Sequence, residues 1–224
     1  MEFQNPAHRT VLLHTRRGNV IRLSREHYIR EDIDCRMPGR SDSPFPTPEV
    51  NYIIVLDSET ILNQIDAFQN ENIINAIILE TSYETVKQKS KAKINQLNKI
   101  LKTPEKHFMV FANDHYRPTY VEQPSDLTSQ QHKEISIIRA LQFLGQPPHD
   151  FPIIYLTNTV EDMERYRQLA KDLEDNEKFP DTQFLIDNIH SWAEDKRGLP
   201  ELLLSPDLAK GDETVYPEHL SVLD

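Results

Sequence analysis

The sequence predicts an α/β fold in which a parallel sheet is covered by helices and preceded by a β-hairpin. Three observations predict it. Short apolar runs recur between residues 52 and 187, each bounded by polar residues; the stretches between them place apolar residues at helical spacing; and two β-prone runs near the N-terminus flank a glycine. Parallel strands cannot be joined by tight turns, so each needs a crossover, and crossover helices bury both faces of the sheet.

Residues 10–15 and 19–24 are the β-prone runs, separated by Arg16, Arg17 and Gly18. The spacing predicts a hairpin in which Gly18 supplies a positive φ. The stretch MPGRSDSPFPTP (37–48) carries Pro38, Pro44, Pro46 and Pro48, which remove backbone donors and forbid regular structure. Residues 1–50 therefore read as a hairpin followed by a proline-rich loop. The strands come next: YIIVLD (52–57), NAIILE (75–80), HFMVFAND (107–114), FPIIYLTN (151–158) and TQFLID (182–187). Between them, helical stripes are formed by Ile61, Leu62, Ile65 and Phe68; by Ile94, Leu97 and Leu101; by Ile137, Ile138, Leu141 and Leu144; and by Met163, Tyr166, Ala170 and Leu173. Residues 51–195 make one domain, and residues 196–224 read as a linker without sustained periodicity.

A chain of 224 residues suits one sizeable domain with appendages. No apolar run approaches the roughly 18 residues that span a bilayer, and the N-terminus lacks a signal peptide's apolar core. A soluble, intracellular protein with no membrane partner is expected. Cys35 is the single cysteine, so no disulfide framework or multi-cysteine zinc site arises within the chain. The formal net charge of -11 opposes non-specific phosphate binding, which makes any RNA contact a local one. Lys87, Lys89, Lys91 and Lys93, followed by Lys99 and Lys102, are the one basic stretch, readable either as an RNA path or as a solvated helical face. With only five glycines and no G-x-x-x-x-G-K or G-x-G-x-x-G cradle, a nucleotide-binding domain is disfavoured.

In open parallel sheets, ligands and metals gather beyond the carboxyl ends of the strands. The residues there are Asp57, 81–85, Asn113 with Asp114, and Asn158 with Thr159. A nuclease using two divalent cations needs several carboxylates converging at that edge, because Mg²⁺ and Mn²⁺ are hard ions held by oxygen. Each candidate also has a plainer reading. Asp57 serves as a helix cap or a metal ligand; Thr81 and Glu84 match a T-x-x-E capping box; Thr159 and Asp162 match an N-cap pattern; Asp114 with His115 is a metal pair or a solvated loop.

The motifs RRGNVIRLSREHYIREDI (16–33), VLDSETILNQID (55–66), EKHFMVFANDHYRPTYVEQ (105–123) and PIIYLTN (152–158) resemble, in order, the N-terminal region of the catalytic ribonuclease subunit of the eukaryotic RNA exosome, the Dis-three or RNB family. YPEHL (216–220) resembles the passage leading into that family's first cold-shock domain. The resemblance implies a Rossmann-like PIN domain behind a hairpin extension, which docks on the exosome core ring and, in active members, cuts RNA with four acids and Mn or Mg. It also implies RNA as partner rather than DNA, a location in the nucleus with the cytoplasm as the alternative, and a 3′–5′ exonuclease site in a later domain not present here. Carried over singly, the first acid matches Asp57. The second matches Thr85, with Glu84 just before it. The third falls near Lys133, with Glu134 and Asp126 close by, and the fourth matches Thr159. The cysteine and histidine cluster of the family's extension is reduced to Cys35. The resemblance thus implies a docking module whose endonuclease site is degenerate. The alternative is an active Mn- or Mg-dependent endoribonuclease using Asp57, Glu84 and either Glu134 or Asp126.

Overall fold

The computed structural model describes residues 9–14, 20–25, 29, 52–122, 127–146, 152–173, 178–179 and 181–194. Cys35, Asp126, Gly18, the proline-rich loop and the expected C-terminal linker lie outside the described residues.

The hairpin is present as strands β1 (Arg9–His14) and β2 (Val20–Arg25), antiparallel with Arg9 opposite Arg25 and His14 opposite Val20. The expected runs are each displaced by one residue, which leaves 15–19 as the connection. The parallel strands are β3 (Ile53–Leu56), β4 (Ala76–Leu79), β5 (Phe108–Phe111), β6 (Ile153–Thr157) and β7 (Phe184–Asn188). They are shorter than the apolar runs suggest, because the chain turns at the run ends. Asn75 (φ 61°) and His107 (φ 49°) sit in the left-handed region that a strand cannot use, and Glu80 already begins a helix. The last strand starts later than residue 182, since the Thr182 hydroxyl donates to the carbonyls of Gln142 and Phe179 in a turn.

The sheet order is β5-β4-β3-β6-β7, all parallel. From β3 the chain steps outward through β4 to β5, then crosses back to lay β6 against the other side of β3. The carboxyl ends of β3 and β6 therefore flank the point where the winding direction reverses, the position at which such sheets open a crevice.

Alternate residues of each central strand feed two separate cores, as expected when an apolar run is buried on both faces. Ile54, Leu56, Ile78 and Leu156 pack with Ile61, Val86, Leu97 and Trp192. These come from α1 (Ser58–Gln64), α2 (Glu80–Lys89), α3 (Lys91–Leu101) and α6 (Ile189–Glu194). Ile53, Val55, Ile77 and Tyr155 pack instead with Ile137, Leu141 and Tyr166 from α4 (Ser129–Leu144) and α5 (Val160–Asp172). The first stripe is split: α1 ends at Gln64 and Phe68 lies on a 3-10 turn, Ala67–Gln69. Among the described residues, no helix is long and apolar enough to cross a membrane.

Gly145 closes α4 against the approach to β7. A Cβ there would lie 2.6 Å from the Gln183 carbonyl oxygen and 3.2 Å from that of Leu141, both backbone atoms. Gly145 and Gln183 are also bonded, the Gln183 N–H donating to the Gly145 carbonyl at 2.9 Å. Gly145→Ala should cost about 1.5 kcal/mol through this overpacking, measured by urea denaturation. An unchanged midpoint would show that the two segments separate freely.

Candidate active site at the carboxyl edge of the sheet

Asp57 follows β3 directly and is the N-cap of α1: its Oδ2 accepts from the Glu59 N–H at 3.0 Å. Its Oδ1 accepts from the Tyr155 hydroxyl at 3.2 Å. Only 5% of Asp57 is exposed. Burial raises its carboxyl to about 6, with repulsion from Asp162 and Glu59 adding to the rise and the N–H groups of Glu59 and Ser58 opposing it. Tyr155 is raised well above the ordinary phenol range, first by its own burial and then by the neighbouring carboxylate.

Thr159 caps α5. Its hydroxyl accepts from the Asp162 N–H at 3.1 Å and donates to Asp162 Oδ2 at 2.8 Å, as the T-x-x-D pattern predicts. The T-x-x-E reading of Thr81 and Glu84 is corrected. Both residues lie inside α2, whose N-cap is Leu79 and makes no side-chain bond. The α2 first-turn N–H of Thr81 is met instead by Asn113 Oδ1 at 3.3 Å, from the loop after β5. Glu84 turns outward to Lys87 Nζ at 2.7 Å, both half-exposed.

Thr85 and Lys133 meet each other: Lys133 Nζ donates to Thr85 Oγ1 at 3.3 Å, while Thr85 donates to the Thr81 carbonyl at 2.8 Å. Glu134, one residue on, bonds Arg165 Nη1 at 2.9 Å, and the other guanidinium arm bonds Asp162 Oδ1 at 2.6 Å. Asp114 and His115 point apart. Asp114 accepts from Thr81, Asn113 and Ser136, and His115 Nδ1 lies 2.6 Å from Glu80 Oε2. Neither the metal pair nor the solvated loop describes them.

The basic stretch is not one helical face. Ser90 breaks it with an extended backbone and caps α3, accepting from the Lys93 N–H at 3.3 Å. Lys87 and Lys89 end on Glu84 and Glu59, and Lys93 lies 3.6 Å from Asp66; Lys91 is exposed.

A divalent pair would need several carboxylates sharing a point. Among the described residues, no group of three or more His, Cys, Asp or Glu is placed to hold a metal ion. Asp57 is buried as a cap, Glu84 faces outward, Glu134 and Asp162 are clamped by Arg165, and Lys133 brings an ammonium group into the same edge. Among the described residues, which do not include Asp126, no set of side chains fits Mn²⁺ or Mg²⁺. Asp162, Arg165 and Tyr155 were not singled out as site residues from the sequence; the i, i+3 spacing of Asp162 and Arg165 was the one available signal, and it names a helical pair rather than a site.

The architecture has a counterpart among solved structures, a PIN domain of Trypanosoma brucei RRP44. The two share a TM-score of 0.51 at 16% identity, over 64% of this chain and 78% of that one. The fold is that of a PIN domain. The chain is also similar to the human exosome complex exonuclease RRP44, 28% identical over 180 residues, or 70% of this chain and 19% of the human protein. The mouse protein of the same name is 31% identical over 132 residues, 51% of this chain and 14% of the relative. Dis3 of Schizosaccharomyces pombe is 23% identical over 95% of this chain and 24% of its own length. The chain thus spans about a fifth of the length of these relatives. No family model matches. The resemblance seen in the motifs is borne out over a PIN-sized region, and PIN fold and sequence kinship point to the same relatives.

Proposed function

We propose that this PIN domain belongs to an exosome-associated ribonuclease and serves as a docking module on the exosome core ring in RNA processing and decay, with no endonuclease activity of its own. The observation that carries the second half is the contact between Lys133 and Thr85. Both stand where the family resemblance expects acids, and they bond to each other, so an ammonium group occupies ground that a phosphate-cutting metal pair would need in carboxylate form. The docking half is supported by the similarity to exosome exonucleases and by a net charge of -11, which suits a partner surface built to hold RNA. A nuclear location follows from the same reading.

The test uses the purified chain. Circular single-stranded RNA incubated with it and Mn²⁺ should remain intact, and a reconstituted exosome core should retain the chain on a column in a salt-sensitive manner. Cleavage that disappears in Asp57→Asn would establish a working nuclease; failure to bind the core would remove the docking role.

A further inference from the structure

We propose that the Arg165 guanidinium is a built-in counter-ion standing in place of divalent metal at this edge, so that the domain folds and stays folded without such ions. The inference rests on the reading of the edge as non-cutting and adds the residue that makes it so.

Arg165 lies one turn after Asp162 on α5 and reaches across to α4. Its two terminal nitrogens serve different carboxylates, Nη1 on Glu134 at 2.9 Å and Nη2 on Asp162 at 2.6 Å. A planar fork with fixed donors is suited to bridging two oxygens from separate elements, where a flexible ammonium is not. Each carboxylate is held a second time, Asp162 by the Thr159 hydroxyl at 2.8 Å and Glu134 by Gln130 Nε2 at 2.8 Å. Arg165 also lies over the Tyr166 ring, 5.3 Å from its centroid, and that ring packs edge-on at 5.1 Å against Tyr155, which bonds Asp57. The cation thus bonds two acids and is linked to a third, Asp57, only through the packed rings of Tyr166 and Tyr155. An incoming dication would have to strip the guanidinium from both partners. Conversely, deleting the Arg165 charge leaves Glu134 and Asp162 without the cation they share, a situation a dication relieves.

The full chain should be melted in EDTA and in millimolar MnCl₂, as wild type, Arg165→Lys and Arg165→Gln, with Mn²⁺ binding followed by the loss of the free-ion electron paramagnetic resonance signal. Wild type should melt at the same temperature in both buffers and leave the free-ion signal unchanged. Arg165→Gln should melt several degrees lower in EDTA, recover in Mn²⁺ and deplete the free ion; Arg165→Lys, which keeps the charge, should stay insensitive to Mn²⁺. Stoichiometric Mn²⁺ binding by wild type, or indifference of Arg165→Gln to Mn²⁺, overturns the proposal. Should Arg165→Gln fail to fold, Glu134→Gln and Asp162→Asn added to it must restore folding, and continued failure counts against the counter-ion role. The RNA assay separates the two ideas: an inert domain that binds Mn²⁺ sinks this inference alone, whereas a cutting domain sinks the function it rests on.

Discussion

Asn113→Ala is expected to cost about 3 kcal/mol, read as a fall in the thermal midpoint on the order of 10 °C. Asn113 is fully buried and its amide joins three elements. Its Nδ2 donates to Thr81 Oγ1 at 2.7 Å, to Ser136 Oγ at 2.8 Å and to Asp114 at 3.2 Å, while its Oδ1 accepts the Thr81 N–H. Its own carbonyl takes the Thr119 hydroxyl at 2.7 Å. Alanine keeps the backbone bond and removes the rest, leaving the first turn of α2 with an unmet buried donor and a small void. Unmade hydrogen bonds of this kind cost more than made ones contribute. A midpoint within about 2 °C of wild type would mean that water replaces the amide without loss.

Asp57→Asn is expected to stabilise the domain at pH 8 by about 2 kcal/mol, and to leave it unchanged near pH 4. The sign follows from the raised carboxyl, about 6 in the folded chain against 3.8 ordinarily. Between those values the folded state holds a proton that the unfolded chain has released, so stability falls as pH rises through the window, and the full penalty remains above it. Asparagine cannot ionise, and it caps helices as well as aspartate does, so the bond from the Glu59 N–H survives. Chemical denaturation of both forms from pH 4 to 8 measures the difference. A variant less stable at pH 8, or one retaining the downward slope, would show that the buried charge is relieved by some other group.

Much of the architecture was legible in the residues. Apolar runs such as YIIVLD and PIIYLTN, buried on both faces, specify parallel strands, and the stripe from Ile137 to Leu144 specifies the helix that covers them. Thr159 as a cap was equally legible, since its partner Asp162 is three residues away. The failures share a cause. Thr81 and Glu84 satisfy the local rule for a capping box, yet the first turn of α2 is capped by Asn113, 32 residues distant along the chain. The lysine series reads as one face, yet Ser90 divides it and sends its members to carboxylates on different elements.

Period and cap chemistry act within a turn or two of chain, so sequence alone determined the α/β sheet, its helical cover and the placing of Asp57 directly after the first parallel strand. Which charges face one another is decided by how α2, α4 and α5 converge on the reversal between β3 and β6. Only the tertiary structure set Lys133 against Thr85 and spread Arg165 over Glu134 and Asp162. Electrostatic energy depends on distance through space, and residues that are remote or unremarkable in sequence become each other's strongest neighbours once the sheet is wound.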